Sequence, residues 1–150
     1  KQQQGGLDAL LARLKKDMRG VAEEKRIEIQ LLPKEKELAA TGEELLCYVM
    51  LSNLLKNAIE ASPEGGQVRI ISDLIEDKVR ISLSNSGSVP ETIRSNFFDK
   101  YVTAGKNSGT GLGTYSARLM ARAQGGDIEL DTGQAEETCI HITLPKWLPV

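Results

Sequence analysis

The stretch Gly109-Thr110-Gly111-Leu112-Gly113 places three glycines at alternate positions directly before a helical pattern. Glycine lets the backbone adopt positive φ and approach a ligand closely. Apolar residues recur at helical spacing from Leu112 to Ala123, so the glycines stand at a helix N-terminus. Free N–H groups and the positive end of the helix dipole make such a terminus a natural anion site. The stretch predicts a phosphate cradle, although a glycine motif alone is also typical of an ordinary loop.

Composition is that of an ordinary globular domain, with 150 residues, 40% of them hydrophobic, and a formal net charge of −2. No basic cluster indicates a nucleic-acid surface, and no apolar run or leader pattern indicates a membrane span or signal peptide. Cys47 and Cys139 match no metal or redox spacing, so we expect two buried thiols and no disulfide. Because the first residue is Lys1, we expect a piece of a larger protein.

Hydrophobic periodicity predicts helices at residues 7–25, 41–62, 91–97 and 112–123, and strands at 27–31, 67–75, 78–84, 127–130 and 138–144. A turn is predicted at residues 85–88 and a loop at 99–108. This order predicts an α/β (α+β) two-layer sandwich, in which a mixed, mainly antiparallel sheet carries helices on one face.

Asn53 and Asn57 stand four residues apart in the longest predicted helix, so both side chains project from one face. They continue an inward stripe of Leu46, Val49 and Met50, where a globular helix should be apolar. Burying two amides without partners is costly, so they either cap backbone groups or meet a ligand or ion in a cleft. Two amides on one turn favour a site, and an amide oxygen suits Mg²⁺.

Two further motifs are weaker. Ser84-Asn85-Ser86-Gly87 ends a predicted strand, where a buried amide can offer a donor and an acceptor to a base edge. The same residues are typical of a plain turn. The stretch Phe97-Phe98-Asp99-Lys100-Tyr101 holds both phenylalanines of the chain, and it predicts either a hydrophobic anchor for a lid or core packing.

Taken together, these motifs resemble the nucleotide-binding boxes of bacterial two-component sensor histidine kinases. The stretch 53–58 is similar to their asparagine box, and Asn85-Ser86-Gly87 to a variant of their first glycine box. Residues 98–101 resemble their phenylalanine box, and 109–113 match their second glycine box. From about residue 27 to 145 the chain resembles their catalytic and ATP-binding domain, whose fold is shared with gyrase B and MutL.

The resemblance implies ATP and Mg²⁺ as cofactors. It implies Mg²⁺ on Asn57, the phosphates beside Asn53 and adenine at Asn85, and a lid over residues 98–110 from which Lys106 reaches the terminal phosphates. The implied ATP-binding set is Asn53, Asn57, Asn85, Gly87, Lys106, Gly109, Thr110, Gly111, Leu112, Gly113 and Thr138.

The resemblance implies no catalytic residue in this chain itself, because the family's phosphoacceptor histidine is absent. The only histidine, His141, alternates with Ile140 and Ile142 in a predicted strand, so we expect it to face solvent. Relatives that hydrolyse ATP carry a Glu base where Asn53 stands, and an amide cannot take a proton from water. The chain should therefore bind ATP, turn it over slowly and leave itself unlabelled in isolation.

The implied partners are ATP, the phosphoacceptor and dimerisation domain of the same or a partner kinase, and a response regulator. We interpret residues 1–26 as a leading helix, which the resemblance allows to be the end of the connection to that missing domain, and residues 27–150 as the ATP-binding domain. We expect a cytoplasmic domain of a larger bacterial sensor, with no nucleic-acid partner and no membrane insertion of its own.

Alternatives remain at this point. Asn85 stands where the family usually has Asp, and Glu60 where many relatives have Lys, which favours a degenerate nucleotide-sensing or interaction module without phosphotransfer. A serine kinase of the anti-sigma-factor type shares the same boxes. A dinucleotide-binding unit would use Asp131, which follows the glycines at nearly the right distance. That reading ranks last, because the glycine spacing is G-x-G-x-G and no buried strand precedes it.

Overall fold

The computed structural model describes residues 6–32, 44–87, 89, 91–99, 113–133 and 136–145. The described helices are α1 (Leu7–Asp17), α2 (Arg19–Glu24), α3 (Glu44–Ala61) and α4 (Gly113–Ala123), with a short 3₁₀ helix at Glu91–Asn96. The strands are β1 (Glu28–Leu31), β2 (Gln67–Ile75), β3 (Lys78–Ser86), β4 (Asp127–Asp131) and β5 (Glu137–Pro145). They form one sheet in the order β1-β2-β3-β5-β4, in which β1 and β2 are parallel and all other neighbours antiparallel. The predicted two-layer α/β sandwich is confirmed.

One face of the sheet is apolar because successive strand residues point to opposite sides. In β5, alternate residues from Thr138 to Leu144 are buried. Ile142 lies opposite Ile81 of β3 and Ile128 of β4, so the apolar side chains of three strands share that face. The helices cover this face and leave the other, more polar face uncovered by any described helix.

Helix α3 is the centre of the core. Its fully buried side chains lie along one stripe and pack over the sheet: Met50, Leu51, Leu54, Leu55, Ala58 and Ile59. Helix α4 packs beside α3 through Ala117 and Ala121, which are completely buried. Small residues at these positions let the two helix backbones approach closely. The N-terminus of α4 is thereby brought against the middle of α3.

The single N-terminal helix predicted over residues 7–25 is wrong, because the structure has two helices that meet at Met18. Met18 has φ −91° and ψ 2°, outside the helical region. The hydrophobic pattern could not reveal this break, because hydrogen bonds of helical spacing still flank it: Met18 donates to Leu14, and Ala22 donates to Met18. The buried leucines of α1 pack into the same core as α3. The boundary after residue 26 stays a prediction.

A polar contact holds α1 to α3. The hydroxyl of Tyr48 in α3 donates to the carboxylate of Asp17, and the guanidinium of Arg13 lies 4.4 Å from the centre of the Tyr48 ring. The pKa of Tyr48 is raised, mainly by its hydrogen bond to Asp17 and secondly by desolvation. The first helix is thus fixed by an aromatic and charged contact in addition to its leucines.

The turn predicted at residues 85–88 is wrong for its first two residues, which continue strand β3. Asn85 lies opposite Val68 in β2 and Thr138 in β5, so neighbouring strands on both sides extend the ladder beyond Ser84. The chain bends at Gly87, which has φ 103°, and Ser88 lies outside the described residues. Asparagine and serine favour turns by local hydrogen bonding, but pairing on both sides outweighs that preference here.

His141 lies on the face opposite Ile140 and Ile142, as predicted, but it does not simply face solvent. Its side chain is 22% exposed, and its ring nitrogens contact Ser82 Oγ at 2.8 Å and Asp131 Oδ2 at 3.2 Å. The pKa of Asp131 is held below its usual range, mainly by a hydrogen bond from the backbone N–H of Gly133 and secondly by the hydrogen bond with His141. His141 therefore ties together the three strands β3, β5 and β4.

Both cysteines are free, as expected, although only one of them is buried. Cys47 is buried in α3 and its thiol lies 3.2 Å from Gln124 Oε1. Cys139 is half-buried on the outer face, where burial raises the pKa of its thiol. Of the helices within the described ranges, none is long and apolar enough to cross a bilayer.

Candidate functional site

Asn85 is a buried amide near the end of β3, on the face that packs against the helices. The residue is 4% exposed, and its Nδ2 donates to the carbonyl of Ser86 at 2.8 Å. Within the described residues this is the one hydrogen bond assigned to the Asn85 side chain. An Asn amide carries a second N–H donor and a carbonyl acceptor, so a ligand that offers both an acceptor and a donor can still pair with it.

Two further predicted residues meet Asn85 at this end of the sheet. Thr138 lies opposite Asn85 on β5, and its hydroxyl donates to the carbonyl of Gly87 at 2.8 Å. The N–H of Gly87 donates to the carbonyl of Glu136, also at 2.8 Å. Strand register and two hydrogen bonds thus bring Thr138 to Asn85 and Gly87, although it is far from both in sequence.

Gly87 also joins the sheet to the C-terminal end of α3. Its φ of 103° is one that side-chain-bearing residues rarely adopt. A Cβ at this position would lie 3.1 Å from the carbonyl oxygen of Ala61. Only glycine fits here without displacing the end of α3.

Asn53 and Gly113 meet at the other end of the site. Gly113 begins α4, and a Cβ placed on it would lie 3.9 Å from Asn53 Cβ and 4.0 Å from the Asn53 carbonyl oxygen. The N-terminus of α4, with its free N–H groups, therefore stands directly beside the Asn53 side chain. Asn57 is one turn farther along the same face of α3.

The interpretation that Asn53 and Asn57 continue the buried stripe of α3 is wrong. Both are half-buried, as are Leu46 and Val49, whereas Met50 is completely buried. The amides therefore lie at the margin of the buried stripe, where a bound molecule can reach them without disturbing the core. The 3.6-residue period correctly predicts that Asn53 and Asn57 share a face of α3. The depth to which they are buried depends on where α4 and the sheet cover that face, which the period does not show.

Five predicted site residues lie outside the described residues: Lys106, Gly109, Thr110, Gly111 and Leu112. Most of the predicted lid lies there too.

Phe97 and Phe98, at the start of the predicted lid, are in the core. Both are 8% exposed, and their rings form an edge-to-face pair with centres 5.1 Å apart. The core-packing interpretation is therefore confirmed. Sequence reasoning missed two α4 residues that hold them: Thr114 Oγ1 donates to the Phe97 carbonyl at 3.2 Å, and the Arg118 guanidinium lies 5.1 Å from the Phe98 ring centre.

Arg118 also fixes α4 to the sheet. Its Nε and that of Arg122 lie 3.3 Å and 3.1 Å from the same carboxylate oxygen of Asp127 in β4. Partial burial favours the protonated form of Asp127, but the backbone N–H of Ile128 and the two guanidinium groups outweigh it and lower its pKa. The helix whose N-terminus stands at Asn53 is therefore anchored along its length.

The residues present fit a Mg²⁺ ion that arrives with phosphate groups. In the parts of the chain that are described, no three His, Cys, Asp or Glu side chains come together to enclose a metal. The available donor is the Asn57 amide, half-buried at the margin of α3. Mg²⁺ commonly takes one or two protein ligands and fills its remaining positions with water and phosphate oxygens.

The two ends of the site are joined by one rigid element. From Asn53 to Ala61 the axis of α3 rises about 12 Å, a distance that an extended nucleotide can bridge. One end offers a buried amide beside a glycine bend. The other offers two amides and a helix N-terminus, which favours anions. This arrangement suits a ligand with a polar base at one end and phosphates at the other.

Comparison with known proteins agrees with this geometry. Residues 42–148 match the family model described as histidine kinase-, DNA gyrase B-, and HSP90-like ATPase. The sensory histidine kinase/phosphatase NtrB of Azospirillum brasilense is 35% identical over 111 residues, which cover 63% of this chain and 27% of NtrB. The sensor histidine kinase WalK of Bacillus subtilis is 36% identical over 104 residues, covering 64% of this chain and 17% of WalK. The chain thus spans less than a third of either relative.

Solved structures of the histidine kinase ThkA have the same fold. Its nucleotide-free catalytic domain superposes with a TM-score of 0.87 at 26% identity, covering 97% of this chain and 96% of that one. ThkA in complex with the response regulator protein TrrA superposes with a TM-score of 0.82 at 24% identity, covering 97% of this chain and 42% of that one.

The hydroxyl of Thr138 should matter for stability at the Asn85 end of the site. In Thr138→Val the carbonyl of Gly87 loses its donor, so we expect the free energy of unfolding to fall by about 1–3 kcal/mol. Thr143→Val is the matched control, because Thr143 lies on the same strand but faces away from the helices. Urea denaturation of both variants measures the difference. Equal loss in the two variants would contradict a specific role for the Thr138 hydroxyl.

Proposed function

Because this chain belongs to the family of histidine kinase-, DNA gyrase B- and HSP90-like ATPases, and is built like the catalytic domain of a sensor histidine kinase, we propose that it presents ATP for phosphotransfer. In this proposal it holds Mg·ATP with the γ-phosphoryl group directed at a histidine on another domain. The observation that carries the proposal is the pairing of Asn85, Gly87 and Thr138 at one end of α3 with Asn53 and Gly113 at the other.

The base end would recognise adenine. Adenine offers an amine donor beside a ring-nitrogen acceptor, and the Asn85 amide retains an acceptor and a second donor that can pair with both. The Asp that the family usually has accepts more strongly from the amine, because a charged acceptor strengthens the bond. An Asn at this position therefore changes how the base is held without removing its recognition.

The phosphate end would hold the triphosphate by partial charges. The N-terminus of α4 attracts anionic oxygens, and Asn53 can donate its amide N–H groups to them. Asn57 would supply a neutral oxygen to Mg²⁺, which when bound neutralises negative charge on the phosphates. The chain's own contribution is then to bind and orient, which is most of what phosphoryl transfer requires of a protein.

The phosphoryl acceptor would come from outside this chain. His141 is the only histidine, and its ring is engaged by Ser82 and Asp131 on the sheet face opposite the site. We propose a histidine on the phosphoacceptor and dimerisation domain of the same or a partner kinase, a response regulator downstream, and a cytoplasmic location. The solved complex of ThkA with a response regulator supports the second of these partners.

The alternatives from the sequence are weaker than the kinase reading. The relatives reported above are sensor histidine kinases, which does not favour a serine kinase of the anti-sigma-factor type. A degenerate module rests on Asn85 and Glu60, but Asn85 retains the hydrogen-bonding groups that adenine needs. Glu60 is exposed near the C-terminus of α3, two turns from Asn53 and about one turn from Asn57.

Labelling with γ-³²P-ATP tests the proposed function directly. We expect the isolated chain to remain unlabelled, because it contains no available acceptor histidine and Asn53 cannot act as a base. Adding the phosphoacceptor domain of the parent kinase should produce acid-labile, alkali-stable phosphate on that domain. A chain that labels itself, or that binds ATP yet fails to label the added domain, would contradict the proposal.

Asn85→Ala tests recognition of the base. Loss of a bidentate contact should weaken ATP binding by about 1–3 kcal/mol, whereas GTP, with an oxygen in place of the amine, should bind the parent poorly and lose much less. Isothermal titration of both nucleotides against both proteins measures the difference. Asn96→Ala is the control, since Asn96 is exposed on the 3₁₀ helix. Unchanged ATP affinity in Asn85→Ala would mean that adenine binds elsewhere.

Asn57→Ala tests the proposed metal ligand. The parent should bind ATP more tightly with Mg²⁺ than with EDTA, and the variant should lose most of that enhancement because its amide oxygen is gone. Asn57 is half-buried at the margin of the core, so the fold should persist, which circular dichroism checks. The same Mg²⁺ enhancement in parent and variant would remove Asn57 from the metal site.

A further inference from the structure

The ammonium group of Lys25 lies at the C-terminal end of α3, where it donates to three backbone carbonyls. The acceptors are the carbonyl oxygens of Ile59 at 3.0 Å, Glu60 at 2.9 Å, and Ser62. The last carbonyls of a helix have no partner within it. The last turn of α3, Ala58-Ile59-Glu60-Ala61, contains no basic residue. Lys25 therefore supplies, from a distant position in the chain, the positive charge that a helix C-terminus favours.

The three acceptors explain why this residue is a lysine. An ammonium carries three N–H donors on one nitrogen and no acceptor, so three converging carbonyls satisfy it completely. A guanidinium spreads its donors over a planar fork and cannot aim three of them from one point. Lys25 is half-buried, and its donors are all used within the protein.

The main chain holds the same segment from the same side. The carbonyl of Lys25 accepts from the N–H of Gly65 at 2.9 Å, and the carbonyl of Gly66 accepts from the N–H of Glu28 at 3.2 Å. Residues 59–66 are therefore fastened to the end of α2 and the start of β1 by both side-chain and main-chain hydrogen bonds.

The opposite side of this segment contacts the end of β3, next to Asn85. The carbonyl of Ala61 lies 3.1 Å from where a Cβ on Gly87 would stand, and Ser86 Cβ lies 3.5 Å from a Cβ placed on Gly66. The two backbone segments therefore pack directly against each other, because even one added carbon on Gly87 would crowd the Ala61 carbonyl, and protein interiors are packed to near-crystalline density. A displacement of the end of α3 would therefore move Ser86 and Gly87, and with them the Asn85 amide.

We propose that Lys25 is a positioning residue for the nucleotide base. It holds the C-terminal end of α3 against Gly87 and so fixes the place of the Asn85 amide, without touching the nucleotide itself. This inference rests on the proposed function, since it takes Asn85 as the residue that pairs with adenine.

Lys25→Met tests the inference, because methionine keeps most of the apolar stem and removes all three donors. We expect ATP affinity to fall by roughly three- to thirtyfold, the range for coupling through a packed element. GTP does not make the Asn85 pairing, so its affinity should change little and the ATP-to-GTP ratio should fall. A purely structural role would lower both affinities together. Titrations run at a temperature at which circular dichroism shows parent and variant equally folded.

Lys78→Met is the matched control, since Lys78 is an exposed lysine at the start of β3 and the charge change is the same. Lys78→Met should keep the ATP-to-GTP affinity ratio of the parent. An unchanged ratio in Lys25→Met overturns the positioning role while leaving the proposed function intact. A parent that binds no ATP overturns the proposed function instead.

Hydrogen exchange tests the same inference without any ligand, and with a substitution that keeps a polar side chain at position 25. In Lys25→Gln the amide of Gly87, which donates to Glu136, should exchange faster than in the parent, while the amide of Ile140 in the centre of the sheet should not. Equal exchange of Gly87 in parent and variant would overturn the role of the ammonium.

Discussion

The burial of one apolar face of α3 against the sheet and α4 is the interaction on which both ends of the site depend. Because Met50, Leu54, Leu55 and Ile59 are completely buried, the rotation of α3 about its axis is fixed. That rotation leaves Asn53 and Asn57 at the margin of the buried stripe and the Ala61 carbonyl against Gly87. Asn53 and Asn57 can therefore meet a ligand without an uncompensated burial cost.

Charged side chains then hold in place the helices that apolar packing has positioned. Arg118 and Arg122 fasten α4 to Asp127 of β4, and Lys25 fastens the end of α3 to the end of α2. The arginine contacts join two consecutive elements, whereas the Lys25 contacts join elements that are distant along the chain. On the outer face, His141 joins three strands between Ser82 and Asp131. The residues proposed to touch the nucleotide are thus held by elements anchored at several points.

Much of this could be predicted from the sequence, because strands and helices leave strong periodic patterns. The period of 3.6 residues gave the shared face of Asn53 and Asn57, and alternation gave the opposite orientations of His141 and Ile140. The register that places Thr138 opposite Asn85 could not be derived from a single strand pattern, because it depends on two other strands. Lys25 left no sequence signal, since a lysine at the end of a helix is usually a solvated charge and its acceptors lie 34 or more residues away.

The proposed phosphate contacts that the structure describes, Asn53, Asn57 and the N-terminus of α4, include no acidic side chain, which is chemically consistent with transfer to another domain. A carboxylate at Asn53 would repel phosphate oxygens and could also activate water as a base. The amide at Asn53 does neither, and the N-terminus of α4 beside it adds partial positive charge without adding a group that can act as a base. We therefore expect a triphosphate held in this way to be oriented but hydrolysed slowly. In the proposed function, the reactive phosphoryl group would then be preserved until a histidine of another domain reaches it.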